Sequence, residues 1–182
     1  MKNLIVLKWI LPFYIFVFTL PISAQQIENK NSFWFNGGVG SSYFGPTFNW
    51  GVSYSYGQNI FSARYLKGDE FVWGSPGGGK SWDDPQLKMK EFGLLYGRSV
   101  SQGILDISLS GGLSYIDGIY RGGKISEKMY AKVNISTIGV PLELHVRVKI
   151  TDFLGIGASC FGNVNPDRSF AGGTFNIYLG RF

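Results

Sequence analysis

Few residues in this chain could do chemistry. Its one histidine, His145, stands two positions from Glu143. A histidine beside a carboxylate is a proton-handling pair. Arg64, Glu91, Asp106, Arg147 and Lys149 are the other charged residues that share a parity with them in alternating segments. If that parity faces an interior, the seven form a polar cluster whose opposite charges must pair, since a lone buried charge is costly. No nucleophile accompanies His145 in a recognisable constellation, so the expectation is an ionic plug, with no catalytic residue assigned.

Other motifs point to bland readings. Gly74-Ser75-Pro76-Gly77-Gly78-Gly79-Lys80-Ser81 fits G-x-x-x-x-G-K-[ST]. A phosphate-binding loop needs a buried strand before it and a helix after it. Here Trp82-Asp83-Asp84-Pro85 follows, which reads as a Gly-rich loop. Two adjacent aspartates lack the spaced oxygen ligands of a calcium loop, and no metal set or cofactor is read. Trp73 and Trp82 flank the glycines and could anchor an external partner. Arg121, Lys124, Lys128 and Lys132 make a second polar stretch basic, suited to anionic lipid headgroups.

Composition narrows the class. The 182 residues suit one domain. With 45% hydrophobic and 16% aromatic residues the chain can bury a core, which argues against disorder. A lone Cys160 rules out a disulfide framework and a cysteine zinc site. Residues 1–24 read as a cleavable signal peptide: Lys2, an apolar run over Leu4–Leu20, then Pro21-Ile22-Ser23-Ala24. Cleavage leaves 25–182 as a single domain and removes Lys2 and Lys8 from a net charge of +5, a mild basicity that does not indicate nucleic acid.

The elements that must position these residues are strands. After residue 30 the period is two, and no long stretch shows helical spacing. Eight strands are expected, over 32–43, 47–57, 59–67, 88–99, 103–116, 134–149, 153–163 and 171–182. In the sixth, Ile138, Val140, Leu142, Leu144, Val146 and Val148 oppose Thr137, Gly139, Pro141, Glu143, His145, Arg147 and Lys149. A soluble sandwich would turn the apolar face inward, whereas a transmembrane barrel turns it to lipid. The small polar faces, the rings near strand ends and strand lengths sufficient to cross a bilayer favour the barrel. From the second connection onward the loops alternate short and long. That places 68–87, 117–133 and 164–170 outside and the turns near 58, 101 and 151 inside.

With these features the chain resembles the small outer-membrane β-barrels of Gram-negative bacteria, the OmpA/OmpX-like shape, over residues 31–182. The final strand, Gly172 to Phe182, ends in an aromatic residue, and Phe182 resembles the signal that barrel-assembly machinery recognises. The resemblance implies an all-β, eight-stranded antiparallel up-and-down transmembrane β-barrel in the outer membrane. It implies outer-membrane lipid and the assembly machinery as partners, a monomer, and a further ligand, if any, at the external loops. The fold does not specify activity. A non-enzymatic barrel acting through its loops leads. A narrow channel for small hydrophobic molecules and a lipid-modifying enzyme using His145 and Glu143 are the rivals.

Overall fold

The computed structural model describes residues 31–70, 87–126 and 129–181. The signal segment, Trp73, the Gly-rich motif, Trp82, Asp83, Asp84, Lys128 and Phe182 lie outside the described residues.

Eight strands form: β1 (Asn31–Ser42), β2 (Gly45–Tyr56), β3 (Asn59–Asp69), β4 (Lys88–Gln102), β5 (Leu105–Ser126), β6 (Met129–Lys149), β7 (Leu154–Val164) and β8 (Phe170–Arg181). Each pairs antiparallel with the next, and β1 pairs with β8 from Phe33↔Arg181 to Ser42↔Gly172, closing the barrel. Closure leaves no open sheet edge around the wall, the condition for strands in lipid.

Alternation decides which face goes where. Phe35, Trp50, Phe61, Leu94, Leu113, Ile138, Phe175 and Ile177 are all exposed on the outer wall. Ser53, Ser55, Ser108, Ser110, Ser159, Thr174 and Asn176 are buried inside. A soluble sandwich is thereby excluded, because its apolar side chains would be the buried ones. Positive φ at Gly57 (59°) and Gly103 (61°) makes the tight turns at the end of the barrel where the chain enters β1.

The interior departs from the expected small polar lining. Apolar side chains at the polar parity fill both ends. Phe44, Leu66, Met89, Ile116, Phe161 and Phe170 form a cluster at the external end. Trp34, Ile60 and Tyr178 form another at the opposite end. Phe44 gets there from the β1–β2 turn, where its N–H donates to Ser42 Oγ (3.2 Å) and Thr47 Oγ1 donates to the same oxygen (2.7 Å).

The expected loop 117–133 is a correction. Most of it is strand, with β5 and β6 pairing on through Ile119↔Asn134 and Arg121↔Lys132 to Ser126↔Met129. Irregularities between Arg121 and Lys124, and between Lys124 and Ser126, twist its tip. Tyr120 at its root still packs against the Phe44 cluster, but beyond it hydrophobic alternation fades while the backbone still pairs with itself. The neighbours stop earlier: β4 ends at Lys88 opposite Ile119, and β7 at Val164 opposite Val140. A two-stranded ribbon therefore stands clear of the barrel, with roughly 35 Å of β6 unpaired on its β7 side at ~3.3 Å per residue.

Candidate functional site

Two ionic networks occupy the lumen between the apolar ends. In the first, Arg64 on β3 places Nη2 at 2.7 Å from Glu91 Oε1 on β4 and Nη1 at 3.2 Å from Glu143 Oε2 on β6. All three side chains are nearly fully buried. Arg64 lies in register with Gly93, which has no side chain to block its path across the lumen. Asn163 Nδ2 donates to Glu91 Oε1 (3.0 Å) and Ser114 Oγ (2.7 Å), supplying the carboxylate with a second donor. The chain of contacts continues from Glu143 Oε1 to His145 Nε2 (3.2 Å), and from His145 Nδ1 to the Tyr178 hydroxyl (2.8 Å).

In the second network Arg147 Nη2 lies 3.0 Å from Asp106 Oδ1, and Ser101 Oγ donates to the other carboxylate oxygen. The Arg147 guanidinium stacks 4.2 Å above the Trp34 ring and 5.3 Å from that of Tyr178. A planar, weakly hydrated guanidinium suits such stacking. The aromatic rings thus act as walls for the cation as well as a plug.

Six of the seven expected cluster residues are brought together. Lys149 is half-buried at the far mouth and joins no ion pair among the described residues. The alternation pattern missed Tyr178, Trp34 and Asn163, which complete the networks. Tyr178 could have been found by parity, since it sits opposite to Ile177 and Leu179 on β8.

Space, more than composition, limits what His145 can do. The cavity beside it, lined by Trp34, Ser53, Asp106, Arg147 and Tyr178 among others, holds about 10 Å³. That is room for about one water molecule. His145 pairs with a carboxylate and a phenol there, and Ser108 stands opposite it in register on β5. Geometry of this kind orients and neutralises charge.

On the external side, Arg121 has a structural partner. Its Nη1 and Nη2 donate to the two carboxylate oxygens of Glu70 (3.2 and 2.7 Å), a fork-on-fork contact that ties the ribbon to the end of β3. Lys124 and Lys132 are exposed along the ribbon. Arg168, in the β7–β8 loop, donates to the Tyr43 hydroxyl and lies over the Tyr43 and Tyr120 rings.

No family model matches the sequence, and no curated protein matches it. Solved structures do. The chain is similar to the N-terminal β-barrel domain of Pseudomonas aeruginosa OprF, with a TM-score of 0.58 and 9% identity, covering 83% of this chain and 98% of that one. It is similar to Neisserial surface protein A, with a TM-score of 0.54 and 13% identity, covering 84% and 96%. It is similar to Ail, the attachment invasion locus protein of Yersinia pestis, with a TM-score of 0.53 and 10% identity, covering 84% and 97%. At such identities the likeness is one of fold, and the fold is the eight-stranded barrel of outer-membrane proteins.

Proposed function

We propose that this protein is an integral outer-membrane barrel, neither enzyme nor channel, which acts as a contact platform on the external side. The β5–β6 ribbon carries this reading. It extends beyond the wall, is fastened at its root by Arg121 and Glu70, and presents basic side chains and an unpaired strand edge. An edge of this kind offers backbone donors and acceptors to an incoming partner. The packed lumen supports the negative half of the proposal, because a single-water cavity holds neither a substrate beside His145 nor a continuous path. Ail, similar in fold, is named for attachment and invasion.

The localisation is tested by cell fractionation with a heat-modifiability gel. A band in the outer-membrane fraction that shifts on boiling is expected, and a soluble protein without a shift would overturn the assignment. The role is tested by replacing 122–131 with a two-residue turn. Loss of a surface-contact phenotype with an intact heat-shifted band is expected. The rivals predict other results: conductance steps in planar bilayers for a channel, and acyl patterns that change on His145→Ala for a lipid enzyme.

A further inference from the structure

The outer wall carries a charged patch that the ribbon does not explain. Across the register, Trp50, Tyr65, Phe92 and Tyr115 form one row of outward rings over β2–β5. One outward step toward the external end, the row becomes Lys67, Lys90 and Asp117 over β3–β5. The next step pairs Asp69 with Lys88. The wall thus changes from aromatic to ionic within a single two-residue repeat, ~7 Å along the strand. Interfacial rings of this kind mark where hydrocarbon gives way to headgroups. Outward positions on β7, β8, β1 and β2 hold no lysine or arginine except Arg181 at the opposite end, so the patch belongs to one side of the barrel.

Lys67 and Lys90 are directly opposed on neighbouring strands, an arrangement that repels. Asp69 offsets Lys67 at 2.7 Å. Lys88 and Lys90 join no ion pair among the described residues and are exposed. A cation just above a ring belt can lay its apolar stem on the wall and hold its ammonium at headgroup height. The anion found at that height is phosphate.

We propose that Lys67, Lys88 and Lys90 hold the phosphate groups of lipids in the leaflet that this wall faces. The inference rests on the membrane-barrel reading above and adds a named partner chemistry to it. Lysine serves phosphate as a point charge without demanding one geometry, which suits mobile headgroups. With Asp69 and Asp117 among them, the three lysines still leave the patch a net positive charge.

The test uses the mature barrel folded in neutral-detergent micelles, with bisphosphorylated lipid A or its dephosphorylated form added, and counts retained lipid by native mass spectrometry. Preferential retention of the phosphorylated lipid is expected. The Lys67→Gln, Lys90→Gln double variant should lose it roughly thirtyfold, at ~1 kcal/mol for each lysine removed. Arginine at both positions should restore it, and Arg181→Gln, at the opposite end of the wall, should leave it intact. Equal retention of the two lipids, or unchanged retention by the glutamine variant, would overturn the proposal. Inorganic phosphate that displaces the lipid at equal concentration would also overturn it, by showing a free-anion site. Wild type that never gives a heat-shifted band contradicts the barrel reading itself, and this inference falls with it. That result is distinct from a folded barrel indifferent to phosphate.

Discussion

Arg64 and Glu143 come from strands that are not neighbours in the sheet, yet Nη1 and Oε2 meet at 3.2 Å across the lumen. With Glu91 on the other side of the guanidinium at 2.7 Å, one cation braces β3 against both β4 and β6. Such bracing need not add raw stability, because buried ion pairs must first overcome the loss of hydration.

Removing the cation alone should therefore be far worse than neutralising the set. Arg64→Met leaves two buried carboxylates without their partner and is expected to cost about 3–5 kcal/mol. Adding Glu91→Gln and Glu143→Gln to it should recover much of that loss. Urea unfolding in micelles reads both. A single variant within about 1 kcal/mol of wild type would show that the brace does not hold.

Gly112 is a close-approach position. A Cβ built there would lie 1.9 Å from the Leu94 carbonyl oxygen of β4, which is backbone and cannot swing aside. Gly112→Ala is expected to lower the yield of heat-shifted barrel and cost about 1–3 kcal/mol through strain. Gly37→Ala, with open space around its Cβ, should fold like wild type. Equal yields from the two would contradict the register described for β4 and β5.

Hydrogen exchange should divide β5 and β6 in two. Amides of 120–126 and 129–139, with a strand on one side only, should exchange well before those of 140–148. Glu70→Gln should speed exchange in the ribbon while moving the unfolding midpoint by less than about 1 kcal/mol, as its ion pair is partly exposed. Uniform protection along β6 would mean that the ribbon has a partner.

Trp34→Ala removes the wall on which Arg147 stacks. A loss of about 3–5 kcal/mol is expected, typical of a buried ring. Planar bilayers should still show no conductance steps, because the Arg64 network and the Phe44 cluster remain. Steps that appear with this one change would locate the only barrier at the Trp34 end.

The architecture was legible in the sequence to the extent that side chains alternate. Ile138 to Val148 on one face of β6, and Glu143 to Lys149 on the other, required a boundary between lipid and a polar interior, and eight such segments implied a closed ring. Leu66, Met89 and Ile116 escaped notice because a period of two says which side a residue faces but not whether that side is wet. The pairings of Arg64 with Glu91 and Glu143 depend on strand registers that no local pattern displays. The ribbon reads as loop in the sequence because Gly122, Gly123 and the lysines carry no amphipathic signal. Lys149 has the right parity but joins no ion pair among the described residues.

The seam between β1 and β8 sets an order of events. Phe33 bonds alongside Arg181, a partner near the far end of the chain. Every other strand can find its mate from the hairpin that follows it, but this pair must wait for all eight. Until then two raw edges exist together, and in hydrocarbon both would be intolerable. Contacts so remote in sequence also form slowly. The ring is therefore a structure that cannot be entered by halves, and shortening β8 should cost the whole assembly and not one strand of it.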